Sequence, residues 1–278
     1  MKALRALAVG TALLLGACTG SPAVDALSET ASKLDEVKSG HLTMRLLAAS
    51  RGVSTTTVGF ELEGRFALPR PRALPVADMT YTRIQGEDRV PARFVSTGSQ
   101  AFVEVDGTMY QLGEEQTASL VAPATGDAGN PLAELGIDDW VVEPRLGDAG
   151  AEAGEPVDRI SGRLDVANAI NDLLDLARQL GAEDLAAVPR IEGRAETQLD
   201  RAVRSSTFEL LTGESDRYLR RMAMVIDFTA TAPPSLRPAL QTLADINVRF
   251  ELALSDHNRP VTVTAPEGAI PYSEAPGS

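Results

Sequence analysis

One cysteine, three lysines, two histidines and one tryptophan are all that the 278 residues hold of those types. A lone thiol excludes an internal disulfide framework and a cysteine-built metal centre. Aromatic residues make up only 4%. Any core or pocket must therefore be built from Leu, Val, Ile, Ala and Met. Cations are also short, with 26 Lys and Arg against 39 Asp and Glu and a formal net charge of −13. A nucleic-acid surface needs clustered Lys and Arg against phosphate, so that partner class is excluded. Catalytic motifs are missing too: there is no G-x-S-x-G, H-E-x-x-H, G-x-G-x-x-G or Walker-type loop. His41 stands at a strand start and His257 in a turn, each in an ordinary surface role. The pair Asp138-Asp139 reads as loop solvation. The expectation is a protein that is not an enzyme, with no cofactor and no resident metal.

What is present begins with an address. Lys2 and Arg5 precede an apolar run from Ala6 to Leu15, which is too short to span a bilayer as a helix. That layout is a secretory signal peptide. The run ends in Leu15-Gly16-Ala17-Cys18, with small residues directly before the only cysteine. This resembles the bacterial lipobox. The resemblance implies a diacylglyceryl group on the Cys18 sulfur, cleavage before it, and an extracytoplasmic protein held at the cell membrane. An acidic body gains nothing from anionic headgroups, so the acyl group must do the anchoring. Thr19 to Pro22 forms a tether that reaches about 14 Å when extended.

The body changes period along its length. Val24, Leu27, Ala31 and Leu34 recur at helical spacing up to Ser39-Gly40. From His41 the period is 2. Leu42, Met44, Leu46 and Ala48 alternate with polar residues, then Val58, Phe60, Leu62, Phe66 and Leu68 alternate with Glu61, Glu63 and Arg65. One face is apolar and one is wet, as in an antiparallel sheet. Ala77, Met79 and Tyr81 predict another strand, and Val90, Ala92 and Phe94 a further one. Asp106-Gly107 between apolar runs marks a hairpin. Residues 113–130 read as a loop with room for a short helix, and Ile137 to Val142 as a short strand. Gly147 to Pro156 reads as a solvated acidic loop, since its spacing does not match a calcium-binding EF-hand.

Val157 to Leu164 predicts a strand. Asp165 then caps a helix with Val166, Ile170, Leu173, Leu174, Ala177 and Leu180 on one face and Gly181 as its stop. Residues 195–204 suggest a second, more polar helix. A hairpin over Phe208 to Phe228 puts Met222, Met224, Ile226 and Phe228 on one face. Residues 233–246 have the period of a short helical insertion. Val248, Phe250, Leu252 and Leu254 close the sheet, followed by Val261 and Val263. The expected organisation is a signal peptide (1–17), an anchor and tether (18–22), a single domain (23–265) and a flexible tail (266–278).

In order, the lipobox, "LDEVKSGHLTMRL", "VGFELEGRFAL", "AFVEVDGTMYQL", "DVANAINDLLDLARQLG", "FELLTGESDRYLRRMAMVIDF" and "VRFELALSDHNRPVTVTAPEG" resemble the actinobacterial LppX/LprG/LprA/LprF lipoproteins, whose fold is like that of LolA and LolB. The chain departs from that pattern in its short tether and in the longer, more helical stretches 182–206 and 233–246. The resemblance implies an α+β fold: a strongly curved antiparallel sheet, an unclosed half-barrel, with helices on its concave face. It also implies a monomer that holds acyl chains of envelope lipids or lipoglycans in an apolar cavity and carries them across the envelope, with an envelope transporter as a further partner. Candidate cavity residues are Met44, Leu46, Phe60, Phe66, Met79, Phe94, Leu173, Leu174, Met222, Met224 and Phe250. On residues alone the same stripes fit a filled, dry core, and the function would then be that of an envelope scaffold without lipid cargo.

Overall fold

The computed structural model describes residues 21–50, 57–68, 74–118, 132, 135–152, 154–179, 189–229 and 245–275. Cys18 with its signal peptide, the Gly181 stop and the 233–244 part of the expected insertion lie outside the described residues.

Among the described residues, twelve strands form one sheet: β1 (Ser39–Ser50), β2 (Thr57–Ala67), β3 (Val76–Gln85), β4 (Asp88–Thr97), β5 (Ala101–Val105), β6 (Thr108–Gln111), β7 (Val141–Glu152), β8 (Glu155–Leu164), β9 (Val203–Gly213), β10 (Leu219–Phe228), β11 (Ile246–Ser255) and β12 (Ile270–Pro271). Their spatial order is β12-β6-β5-β4-β3-β2-β1-β11-β10-β9-β8-β7. All neighbours are antiparallel except β12 on β6. The first and last strands do not meet, so the sheet is an open, curved half-barrel of α+β class. Residues 106 and 107 both have positive φ, 49° and 78°. That is the geometry of a two-residue hairpin turn whose twist matches its strands, and Asp-Gly tolerates it.

Helices cover one face: α1 (Pro22–Leu34), α2 (Val166–Gln179) and α3 (Arg194–Ala202). Pro22 sits in the first turn of α1, where its missing N–H costs nothing. The helix buries Ala23, Ala26, Leu27, Thr30 and Leu34, and it packs against β7, β8 and β10. Val24, expected on that face, is instead 47% exposed. Ala23 takes its place, one step around the helix. Asp165 caps α2 as the sequence suggests, its Oδ1 accepting the Asn168 N–H at 3.1 Å. The buried surface of α2 is broader than a single stripe, because it has partners on two sides. Val166, Ala169 and Leu176 join the core with the sheet, and Ile170 and Leu173 pack against it. On another side Asn171 makes a two-way bond to the Ile191 backbone, at 3.0 and 2.7 Å. That pair pins the segment before α3.

Four further sequence expectations are corrected. The stretch from Gly147 to Pro156 is no loop: it forms the outer parts of β7 and β8, paired from Gly147↔Arg159 to Glu152↔Glu155. Its hydrogen bonds come from the partner strand, so it needs no apolar alternation. The strand begins at Val141, and Ile137 to Trp140 is a turn. The tail from Pro266 does not fray throughout: Ile270 and Pro271 pair with Tyr110 and Gln111, and Tyr272 meets Tyr110 edge-on at 6.3 Å. Val261 and Val263, by contrast, lie outside any strand. Pro260 at the head of that stretch lacks the N–H that a ladder needs.

Candidate functional site: a half-open apolar face

Register aligns the inward side chains into rows across the sheet. One row runs Leu210, Met222, Leu252, Met44, Leu62, Tyr81, Ala92. A second runs Phe208, Met224, Phe250, Leu46, Phe60, Arg83, Val90. A third runs Leu254, Leu42, Gly64, Met79, Phe94, Val103, Tyr110.

Burial splits these rows in two. On β9, β10 and β11 the side chains are sealed: Leu210, Met222 and Leu252 have no exposed surface. A side chain with none has no water-sized void beside it, so this half is filled by protein. On β2 to β5 the same rows open. Leu62, Phe60, Met79, Phe94, Ala92 and Val103 are half-buried, and Tyr81 and Val90 are exposed. Phe60 and Tyr81 stack at 5.7 Å, giving the open half an aromatic floor.

The candidate residues distribute accordingly. Met222, Met224, Phe250, Phe66 and Met44 belong to the sealed core, and Leu46, Phe60, Met79 and Leu173 pack partly buried against it. Leu174 is buried. Phe94 lies on the open half, in register with Met79 and Val103. Sequence reasoning put Tyr81 and Val90 on these strand stripes but not among the cavity candidates, and it did not single out Arg83. Their signal was there: each shares the phase of Met79 or Phe94.

The opposite face of the sheet is a mesh of ion pairs. Glu61 takes Arg45 at 2.6 Å and Arg89 at 3.1 Å. Asp78 takes Arg93 through both oxygens, at 2.8 and 3.0 Å. The Arg93 hydrogen bonds hold the Asp78 carboxyl below the usual carboxylate range. Two clefts, of about 210 and 610 Å³, open on this polar side, the smaller between Arg45, Glu61 and Glu251 and the larger between Arg145, Arg163 and Thr207. Both have mixed linings: Met44, Leu62 and Leu252 stand among the charged groups of the smaller, and Val142 and Phe208 among those of the larger.

The histidines lie away from the open rows. His41 approaches Glu63 at 3.6 Å. The His257 ring stacks on Tyr218 at 5.0 Å, with Nε2 2.9 Å from the Leu219 carbonyl oxygen. Burial pushes its pKa down. Among the described residues no hydrogen bond joins either imidazole to a hydroxyl, and no group of three His, Cys, Asp or Glu is placed to hold a metal. No described helix is long and apolar enough to cross a membrane.

Compared with known proteins, the chain matches no family model and no curated sequence. Among solved structures it is similar to the crystal structure of LprF from Mycobacterium bovis, at 16% identity, over 89% of this chain and 99% of that one, with a TM-score of 0.47. A domain from Vibrio parahaemolyticus, provisionally assigned to an outer membrane lipoprotein-sorting protein, matches at 8% identity over 86% of this chain and 93% of that one, with a TM-score of 0.22. LprF is one of the lipoproteins whose motif order this sequence resembles.

Proposed function

We propose that this chain is an extracytoplasmic envelope lipoprotein, anchored through an acylated Cys18, that holds the acyl chain of an envelope lipid or lipoglycan on the open half of its inner face and carries it across the envelope. One observation carries the reading: apolar rows that are sealed on β9 to β11 remain half-exposed on β2 to β5. Leaving Phe60, Leu62, Met79 and Phe94 partly wet forgoes burial that a filled core would gain. Each methylene laid against such a surface contributes about 0.8 kcal/mol, so ten give about 8 kcal/mol. Before ordering costs, that is the free energy of a complex with Kd of about 1 μM.

The anchor has its own test. Intact mass of the membrane-fraction protein should show a diacylglyceryl addition and loss of the first 17 residues. Cys18→Ala should move the chain to the soluble fraction or leave it unprocessed. A free thiol on the wild-type chain would remove the anchor from the proposal.

Binding is tested best by filling the trough. Ala92 is half-buried beside Tyr81 in register. Ala92→Trp should weaken binding of a fluorescent acyl probe at least fivefold while unfolding stability changes by less than about 1 kcal/mol. In a filled core the same change would overpack and cost about 1–3 kcal/mol. The competing function, a scaffold with no lipid cargo, rests on the sealed half around Met222. It takes over if the wild-type chain binds no acyl probe and carries no extractable lipid from its host.

A further inference from the structure

Exposure along β3 has a direction. On its inward side Ala77 is 4% exposed and Met79 half-buried, while Tyr81 reaches 42% and Arg83 is exposed. The neighbouring strands agree. Phe66 on β2 and Ser96 on β4, in register with Ala77, are buried. Val90, in register with Arg83, is 49% exposed. The trough is therefore closed at the Ala77 end and open at the turn between β3 and β4. From Ala77 to Arg83 it measures about 20 Å, room for a long acyl chain to enter tail first and leave its headgroup at the mouth.

Arg83 stands at that mouth, between Phe60 and Val90 in an otherwise apolar row. On the other side of the same strands Arg45, Arg65, Arg89 and Arg93 each lie within 4 Å of Glu61 or Asp78. Arg83 has no ion pair or hydrogen bond among the described residues. The acids near it in sequence, Glu87 and Asp88, leave it unpaired, although Asp88 is only one inward position beyond Val90 and in register with Gln85. In a chain of net charge −13, an uncommitted guanidinium at the open end of an apolar trough is a receptor for an anion attached to an apolar tail. Guanidinium also matches phosphate and carboxylate oxygens in a bidentate geometry.

We infer that the site selects lipids with an anionic headgroup, phosphate or carboxylate, and that Arg83 is the residue that reads the charge. The inference rests on the lipid-binding reading above and specifies its ligand. The test uses the full chain and a pair of lipids with one palmitoyl chain each, lysophosphatidylglycerol and lysophosphatidylcholine, competing against a fluorescent acyl probe. The anionic lipid should compete about tenfold better, as a charge-assisted hydrogen bond at a wet site allows. Arg83→Gln should abolish that preference and leave lysophosphatidylcholine unchanged, while Arg83→Lys should keep part of it. Glycerol phosphate without an acyl chain should not compete, which separates a lipid site from a free-phosphate site. Equal competition by the two lipids, or a preference that survives Arg83→Gln, overturns the role of Arg83 and leaves lipid binding standing. Failure of both lipids and of the probe overturns lipid binding itself, and this inference with it.

Discussion

Gly64→Val should lower the thermal midpoint by about 8–16 °C, the shift that a loss of about 4 kcal/mol produces in a domain of this size. A Cβ at residue 64 would lie 2.1 Å from the Asp78 carbonyl oxygen and 2.7 Å from the Met79 Cα. Both are backbone atoms, so no rotamer change relieves the clash; β2 and β3 must separate. Separation breaks the row Leu42, Gly64, Met79 and shifts Asp78, which clamps Arg93 on the opposite face. The damage thus reaches both faces. Scanning calorimetry of the soluble chain checks it, with Gly64→Ala expected to fall between valine and wild type. A valine variant that melts within 2 °C of wild type would mean that the strands yield where the geometry says they cannot.

Trp140→Ala should cost on the order of 3–5 kcal/mol, the range for deleting a large buried aromatic. The indole is fully buried, and its Nε1 donates to the Asp172 Oδ2 at 2.7 Å. The same oxygen accepts the Gly136 N–H at 3.1 Å. The Trp140 carbonyl takes the Asp165 N–H at 2.7 Å, so this one residue ties the entry to β7 to the start and middle of α2. Trp140→Phe keeps most of the volume but strips one donor from Asp172. It should cost less than alanine, with a further 1–3 kcal/mol lost from unsatisfied polar groups if Asp172 is then made leucine. Denaturant midpoints followed by circular dichroism give the ranking; fluorescence cannot, because Trp140 is the only tryptophan.

The strands that carried a clear period of 2 were legible in the sequence, and so were the Asp106-Gly107 turn and the Asp165 cap. Each is a local signal: alternation, a turn pair tolerant of positive φ, a side chain able to take an orphan N–H. What was not legible depended on partners distant in the chain. Residues 147–152 lack alternation because both their faces are wet, and only β8 makes them a strand. On α1 the period placed Leu27 and Leu34 correctly in the core, and only Val24 was misplaced: it is 47% exposed, and Ala23 is buried instead.

The candidate site divides in the same way. That the inner face would be apolar followed from Phe60, Met79, Met222 and Phe250 alone. That Met222 would be sealed and Phe60 half-open did not, since the difference lies in what covers each strand. A row of register partners carries the same hydrophobic code at both ends, and the code is silent about the lid. Arg83 was overlooked because a lone cation in a strand of mixed polarity looks like an ordinary solvated residue until its row is known.

The two rims of the sheet have a consequence for many copies sharing one membrane. Acyl anchoring would confine the molecules to two dimensions, where neighbours collide side by side and an unpaired strand invites the next molecule to add on. At one rim, β12 lies over β6 and Tyr272 caps it, leaving little of that strand free to recruit a neighbour. At the other, β7 slips register twice, between Val142 and Arg145 and between Asp148 and Ala151, and carries Glu143, Arg145 and Glu152 along its length. Bulged, charged strands make poor templates. Both rims therefore resist the strand-by-strand addition that would link neighbouring copies edge to edge.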